Sequence, residues 1–289
     1  MTQLILKWIV VLLALFAVGP FAASIVAPLR LPDGSHAASL LTDGSIIHGL
    51  TAGAIVLALA ATMGLVAGRL IARDMGLTVA GLIVAWAAWR FSTVDRAISR
   101  IGNGDFLTTL AIEGLILGLL GTTIAVAIGL TSREKQPKAA VVGAFLEDQS
   151  PGAPIPITNL VLAGAVGAVV AAAAVWIVAV EALKGQSVMA AVIGGIACGA
   201  GAQLAATMHR IRLGILVPTL AMAVLATLSP LITISKLGVH ATATATEGNL
   251  FALGRLGPLD WLAGALLGVP VGLAWANSML EKEPASAIA

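Results

Sequence analysis

The sequence predicts an all-α protein, a polytopic bundle of about eight transmembrane helices. Of its 289 residues, 59% are hydrophobic and only 10% are charged, whereas about 25% of the residues of a typical soluble domain are charged. The mean hydropathy is +1.02. Because so few charges cannot cover a surface that faces water, most of the surface must face lipid.

Eight apolar runs are long enough for membrane-spanning helices, each of which needs about 20 mostly apolar residues. They are residues 4–28, 47–70, 75–91, 106–130, 159–183, 188–208, 213–235 and 260–280. The third run is short, and only a tight turn separates it from the second. The first run follows Lys7 and resembles a signal peptide as far as Ser24, but it continues to Pro28, so we expect a transmembrane helix.

Basic residues predict the orientation, because they accumulate in cytoplasmic loops. An inner N-terminus places nine Lys and Arg residues in inner loops and seven in outer loops. We therefore expect a multi-pass protein of the cytoplasmic (inner) membrane with both termini cytoplasmic. Tryptophan prefers the depth of the membrane interface, and the predicted interfacial residues are Trp86, Trp89, Trp176 and Trp261 on the outer side and Trp8 and Trp275 on the inner side.

One short motif occurs twice. Residues 100–107 and 255–262 both read Arg, aliphatic, Gly, two variable positions, Asp, aromatic, Leu, at the start of the fourth and the eighth predicted helix. Asp105 and Asp260 are placed to N-cap these helices, and Arg100 and Arg255 are placed to reach lipid phosphate or the aspartate. The motif indicates a structural helix start, which we favour, or a symmetric pair of functional sites on the outer face.

The motif also divides the chain into two tandem four-helix repeats. The predicted units are a first membrane repeat at 1–131, a cytoplasmic linker at 132–158, a second membrane repeat at 159–281 and a C-terminal tail at 282–289. An even number of helices in each half makes the repeat parallel. Within the second repeat, residues 236–259 include alternating Ala and Thr and are expected to form a flexible outer loop.

Glycines four residues apart recur in the second, fourth, sixth and eighth predicted helices. Glycine has no side chain, so two helix backbones approach closely at such positions. This GxxxG spacing indicates packing within the bundle or a face for a partner subunit. The glycines are Gly64 and Gly68, Gly114 and Gly118, Gly195 and Gly199, and Gly264, Gly268 and Gly272.

Glu113 is the outstanding polar residue of the predicted spans, because it lies eight residues after Asp105, about 12 Å into the membrane. A carboxylate at that depth is costly and faces the bundle interior or a watery cavity. The two interpretations are a proton or cation site and a neutral glutamic acid hydrogen-bonded between helices. In the second case we expect Glu113→Gln to be nearly silent. Partners at matching depth are Thr109, Thr227, Ser229 and Arg90.

Three classes of function remain after these observations. We favour a non-catalytic structural or accessory subunit that packs against other membrane subunits or itself, because polar groups are scarce in the spans. The alternative is a small-solute or ion transporter with Glu113 as its proton or cation site. The third is an intramembrane enzyme, which is less expected because such a site needs several convergent polar residues.

Cofactors and nucleic acid are not expected as ligands. The formal net charge of +2 gives no basic patch for nucleic acid. His36, His48 and His240 fall on the predicted outer side, but their spacing matches no metal site, and the single cysteine forms no cluster. The expected surroundings are therefore the lipid bilayer and other membrane proteins.

Overall fold

The computed structural model describes residues 2–101, 104–132 and 157–280. In these ranges eight helices are long and apolar enough to cross a membrane, which confirms the predicted all-α bundle of a multi-pass membrane protein. Most of the predicted linker (133–156), the tail (282–289) and residues 102–103 of the first motif lie outside the described residues.

The eight spans are numbered in chain order. Span 1 is interrupted by a π-helical turn at Ala14–Val18, and span 3 is followed by a short helix, Val94–Ile101. The helices are span 1, Thr2–Leu13 with Gly19–Val26; span 2, Ile46–Leu70; span 3, Arg73–Trp89; span 4, Gly104–Thr131; span 5, Ile157–Val178; span 6, Lys184–Thr207; span 7, Leu216–Leu237; and span 8, Pro258–Leu280.

Span 8 lies at the centre of the bundle, where it contacts spans 3, 4, 6 and 7. In its most apolar window, 78% of the residues are buried, compared with 28% in span 1 and 22% in span 5. These two peripheral spans therefore present most of their surface to lipid. The third span contacts the eighth, and the fourth contacts the seventh.

Spans 6 and 8 approach backbone to backbone through glycine. A Cβ atom added at Gly195 would lie less than 3.0 Å from the carbonyl oxygen of Gly264, and one at Gly264 would lie equally close to the carbonyl oxygen of Ala191. Gly268 and Gly272 face the carbonyl oxygens of Val192 and Ile196 in the same way. Any larger side chain at these positions would push the two helices apart.

The face of the bundle that carries segments 27–45, 90–101, 179–183 and 238–257 is called the loop-rich face. Two contacts join these four segments in pairs: the Ser92 N–H donates to the Ala37 carbonyl at 2.9 Å, and a guanidinium nitrogen of Arg255 donates to the Ala179 carbonyl. On the opposite face, the Gln203 side chain closes segment 208–215, because its Oε1 accepts the Leu213 N–H at 2.9 Å.

Two features of the loop-rich face differ from expectation. The alternating Ala-Thr stretch is not a flexible loop but a short helix, Ala241–Thr246, that packs on Val94–Ile101. Ala241 and Ala245 lie one turn apart and are both buried there, and alanine is the best helix former. Trp261 also does not face lipid, because only 1% of it is exposed.

Candidate functional site

Glu113 is buried in span 4, with 2% of its surface exposed. Both of its carboxylate oxygens are occupied: Oε1 accepts the Leu40 N–H at 3.0 Å and Oε2 accepts the Leu41 N–H at 2.8 Å. Two donors on consecutive residues suit the ionised carboxylate, which only accepts hydrogen bonds. The side chain therefore fastens the loop between spans 1 and 2 to the interior of the bundle.

The loop reaches Glu113 because it descends between the helices. The carbonyl oxygen of Leu40 lies against Gly49. The side chain of Leu40 fills the space left open by Gly53, seven residues after the first residue of span 2. The loop also satisfies its own polar groups, since the Thr42 hydroxyl accepts the Ser39 N–H and donates to the Ser39 carbonyl, each at 3.0 Å. Non-helical backbone is tolerated at membrane depth only where it is satisfied and covered by protein.

The partners expected for Glu113 from depth are elsewhere. The hydroxyls of Thr109 and Thr227 donate to carbonyls of their own helices. Ser229 Oγ is buried without a hydrogen-bond partner among the described residues, and Arg90 is exposed. The loop donors were missed because nothing in the composition of residues 29–46 indicates that this loop enters the bundle.

Asp260 forms a second buried charge cluster at the start of span 8. It is fully buried, and its Oδ1 and Oδ2 lie 2.7 Å and 2.8 Å from Nζ of Lys184. Its Oδ2 also accepts the Gly257 N–H at 2.8 Å. The expected N-cap is therefore wrong in detail: span 8 begins at Pro258, and Asp260 is its third residue, which reaches back to the N-cap amide.

Arg255 forms a third cluster beneath the loop-rich face. It is 6% exposed and donates to the carbonyl oxygens of Ala179, Val180 and Gly248. Its Nε lies 3.7 Å from Oδ1 of Asp95 on the short helix after span 3. The guanidinium therefore ties segments 179–183 and 238–257 of the second half to the first half, and it does not reach lipid phosphate.

The matching residues of the first motif have different surroundings. Arg100 is exposed, and its Nη1 lies 3.7 Å from Oδ2 of Asp33. Asp105 is exposed in the first turn of span 4. The aromatic and leucine positions agree, because Phe106 and Leu107 are buried in the first motif and Trp261 and Leu262 in the second. The two motifs are thus chemically dissimilar sites despite their common sequence.

Spans 5 and 7 enclose an apolar groove of about 590 Å³ that opens to the lipid. Ile157, Val161 and Val224 line it and are each at least half exposed. Four of its lining residues are small, namely Gly164, Ala165, Ala168 and Ala221. The lining carries no charged or polar side chain, so the groove can bind a partner only through apolar contacts.

The buried carboxylates of these clusters face hydrogen-bond donors or cations of the chain itself. Glu113 does not line the groove, and it does not line a second cavity on the loop-rich face between Arg30 and Arg96. Within the described ranges, no group of three His, Cys, Asp or Glu side chains is placed to hold a metal ion. No protein-family model, no curated protein and no solved structure matches the chain.

Proposed function

We propose that the protein is a non-catalytic integral membrane subunit that holds a transmembrane helix of another membrane protein in the groove between spans 5 and 7. The groove carries this proposal. It is open to lipid and lined entirely by apolar residues, several of which are glycine or alanine. Small residues on an apolar helix face let a second transmembrane helix approach closely.

A helix suits the groove better than an irregular segment, because backbone within the membrane must satisfy its own hydrogen bonds. Gly164 and Ala168 are four residues apart on span 5, a small-xxx-small spacing that admits a second helix at close range. The low burial of span 5 means that a partner would cover surface that its own bundle leaves bare. The partner helix would itself be apolar at this height, since the groove offers it no charge.

The arrangement around Glu113 supports a scaffold over the transporter alternative. A proton or cation site needs a carboxylate that a solute reaches, whereas both oxygens of Glu113 accept backbone N–H groups of the inserted loop. The enzyme alternative is weakened by the same use of polar groups, because Asp260 and Arg255 also bind to the chain itself.

We further propose that the two halves arose by duplication and that the protein lies in a cytoplasmic membrane with both termini on the cytoplasmic side. Contacts between spans 3 and 8 and between spans 4 and 7 support the duplication, because a parallel two-fold exchange of the halves interconverts these pairs. Residues 1–131 and 157–281 should then superpose with the starts of spans 4 and 8 overlaid. Unrelated depths for the two motifs would overturn the duplication.

Photo-crosslinking in native membranes tests the groove. Photoreactive residues are placed at positions 161 and 162 in turn. Val161 lines the groove and is 66% exposed, whereas its neighbour Leu162 is 52% exposed and does not line it. We expect a discrete adduct with a transmembrane helix of one other membrane protein from position 161 only. Gly164→Leu should abolish the adduct by filling part of the groove. Adducts with lipid alone, with a second copy of this chain, or equally from both positions would overturn the proposal.

A further inference from the structure

A polar cleft of about 290 Å³ lies on the loop-rich face, between the loop that follows span 1 and the short helix Val94–Ile101. It is separate from the groove, because its lining shares no residue with spans 5 and 7. Its polar lining consists of Arg30, Ser35, His36, Ser92, Arg96 and Arg100. Three guanidinium groups thus converge on one small cavity of a chain that is only 10% charged.

The short helix places two of these cations side by side. Val94, Ala97 and Ile98 are buried, so Arg96 and Arg100 are left on the exposed side of the helix, four residues apart. Like charges at this spacing repel each other and destabilise a helix. Within the described ranges the Arg96 side chain has no hydrogen-bond or ion-pair partner, so its charge is not compensated by a direct contact.

The other wall of the cleft holds the third arginine in place. Nη1 of Arg30 donates to the carbonyl oxygens of Ala27 and Leu29 at 2.6 Å and 2.9 Å, and it lies 2.8 Å from Nδ1 of His36. Among the described residues, no carboxylate pairs with the Arg30 guanidinium. The guanidinium is therefore a fixed positive wall of the cleft.

Asp33 supplies the counter-charge at the rim. It lies 3.7 Å from Arg100, but both side chains are largely exposed, so the pair is weak. Hydrogen bonds from the Ser35 hydroxyl and N–H, helped by the nearby Arg100, lower the pKa of Asp33 below its usual value. Asp33 is therefore ionised at neutral pH, and three arginines share one carboxylate.

We propose that this cleft binds a phosphate group. Guanidinium groups pair with phosphate through two parallel hydrogen bonds, and the Ser35 and Ser92 hydroxyls are further donors in the lining. Trp89 is the last residue of span 3, its indole is exposed, and it lies five residues before the short helix. Because exposed tryptophans prefer the membrane interface, the cleft lies near the depth of lipid headgroups. The phosphate belongs either to an anionic lipid headgroup or to a soluble phosphate.

Arg96→Gln and Arg100→Gln test the cleft in the full chain. The lipid arm uses nanodiscs of phosphatidylcholine containing phosphatidylglycerol and counts retained phosphatidylglycerol by native mass spectrometry. The soluble arm titrates sodium phosphate into protein in uncharged detergent and follows thermophoresis. We expect each variant to weaken binding about tenfold, the effect of losing one charge-assisted contact. Arg69→Gln, an exposed arginine at the other end of span 2, should leave binding unchanged.

Asp33→Asn provides a change of opposite sign. It removes the competing carboxylate while its amide oxygen still accepts from Ser35, so binding should become tighter. Phosphatidylglycerol retention that depends on Arg96 and Arg100 identifies a lipid headgroup, and phosphate binding in detergent that depends on them identifies a soluble ligand. Binding in neither arm, or equal losses in Arg69→Gln, would overturn the proposal. Thermal unfolding without ligand checks that the variants fold.

Discussion

Lys184 and Asp260, the first residue of span 6 and the third of span 8, form a bidentate ion pair with Nζ–Oδ distances of 2.7 Å and 2.8 Å. Asp260 is completely buried, and the Lys184 side chain is 15% exposed. The pair joins the two helices at the loop-rich face, where their glycine-lined contact begins. Because both charges have left water, each depends on the other.

Removing Lys184 should therefore be more harmful than removing both charges. Lys184→Met leaves a buried carboxylate with only the Gly257 N–H, and we expect a loss of about 3–5 kcal/mol in the free energy of unfolding. The double variant Lys184→Met with Asp260→Asn should regain part of that loss. Denaturant titration in mixed micelles measures both. The exposed Glu181 offers the control Glu181→Gln, and equal losses in the single and double variants would contradict the prediction.

Glu113→Gln should destabilise the protein, contrary to the near-silent change expected from the sequence. Glutamine has one acceptor oxygen and one NH₂ group, so one of the Leu40 and Leu41 N–H groups would face a donor. We expect a cost of about 1–3 kcal/mol for the unsatisfied amide.

Glu113→Leu removes both acceptors and should cost more than Glu113→Gln. Thermal unfolding in detergent ranks the two variants, and protease sensitivity of the loop at 37–43 reports its release. If Glu113→Gln is as stable as the wild type while the loop stays protected, the carboxylate does not fasten the loop.

Gly264→Ala should separate spans 6 and 8. The added Cβ would lie less than 3.0 Å from the Ala191 carbonyl oxygen, which is backbone and has no room to move. Overpacking of this kind costs about 1–3 kcal/mol. Gly129→Ala is the matched control, because the nearest atom to its Cβ would be Cδ of Arg73 at 3.7 Å. A control variant as unstable as Gly264→Ala would contradict the packing argument.

The topology is tested by labelling single cysteines with an impermeant maleimide. Cys198 is buried and should stay unlabelled in the folded protein. Eight crossings place Lys138, Met208 and Glu281 on one side of the membrane and Glu247 on the other. Cysteines at the first three positions should therefore react from the same side, and opposite reactivity of positions 138 and 281 would require an odd number of spans between them.

The fold class and the approximate bounds of the spans follow from the sequence alone. A span is a local property, because about 20 consecutive apolar residues are needed wherever a helix crosses lipid. Span 5 was expected from residue 159 and begins at Ile157, and span 8 was expected from residue 260 and begins at Pro258. The burial of Glu113 was equally predictable from its depth and the cost of charge in lipid.

Which groups meet depends on how the helices pack in three dimensions. Glu113 binds backbone amides 72 and 73 residues away, and Asp260 binds a lysine 76 residues away. Depth along a helix follows from its rise of about 1.5 Å per residue, but the lateral position of each helix depends on the packing of all the others. For the same reason, one repeated motif gave an exposed Arg100 and a buried Arg255, since the neighbours that cover a residue are not encoded in its own segment.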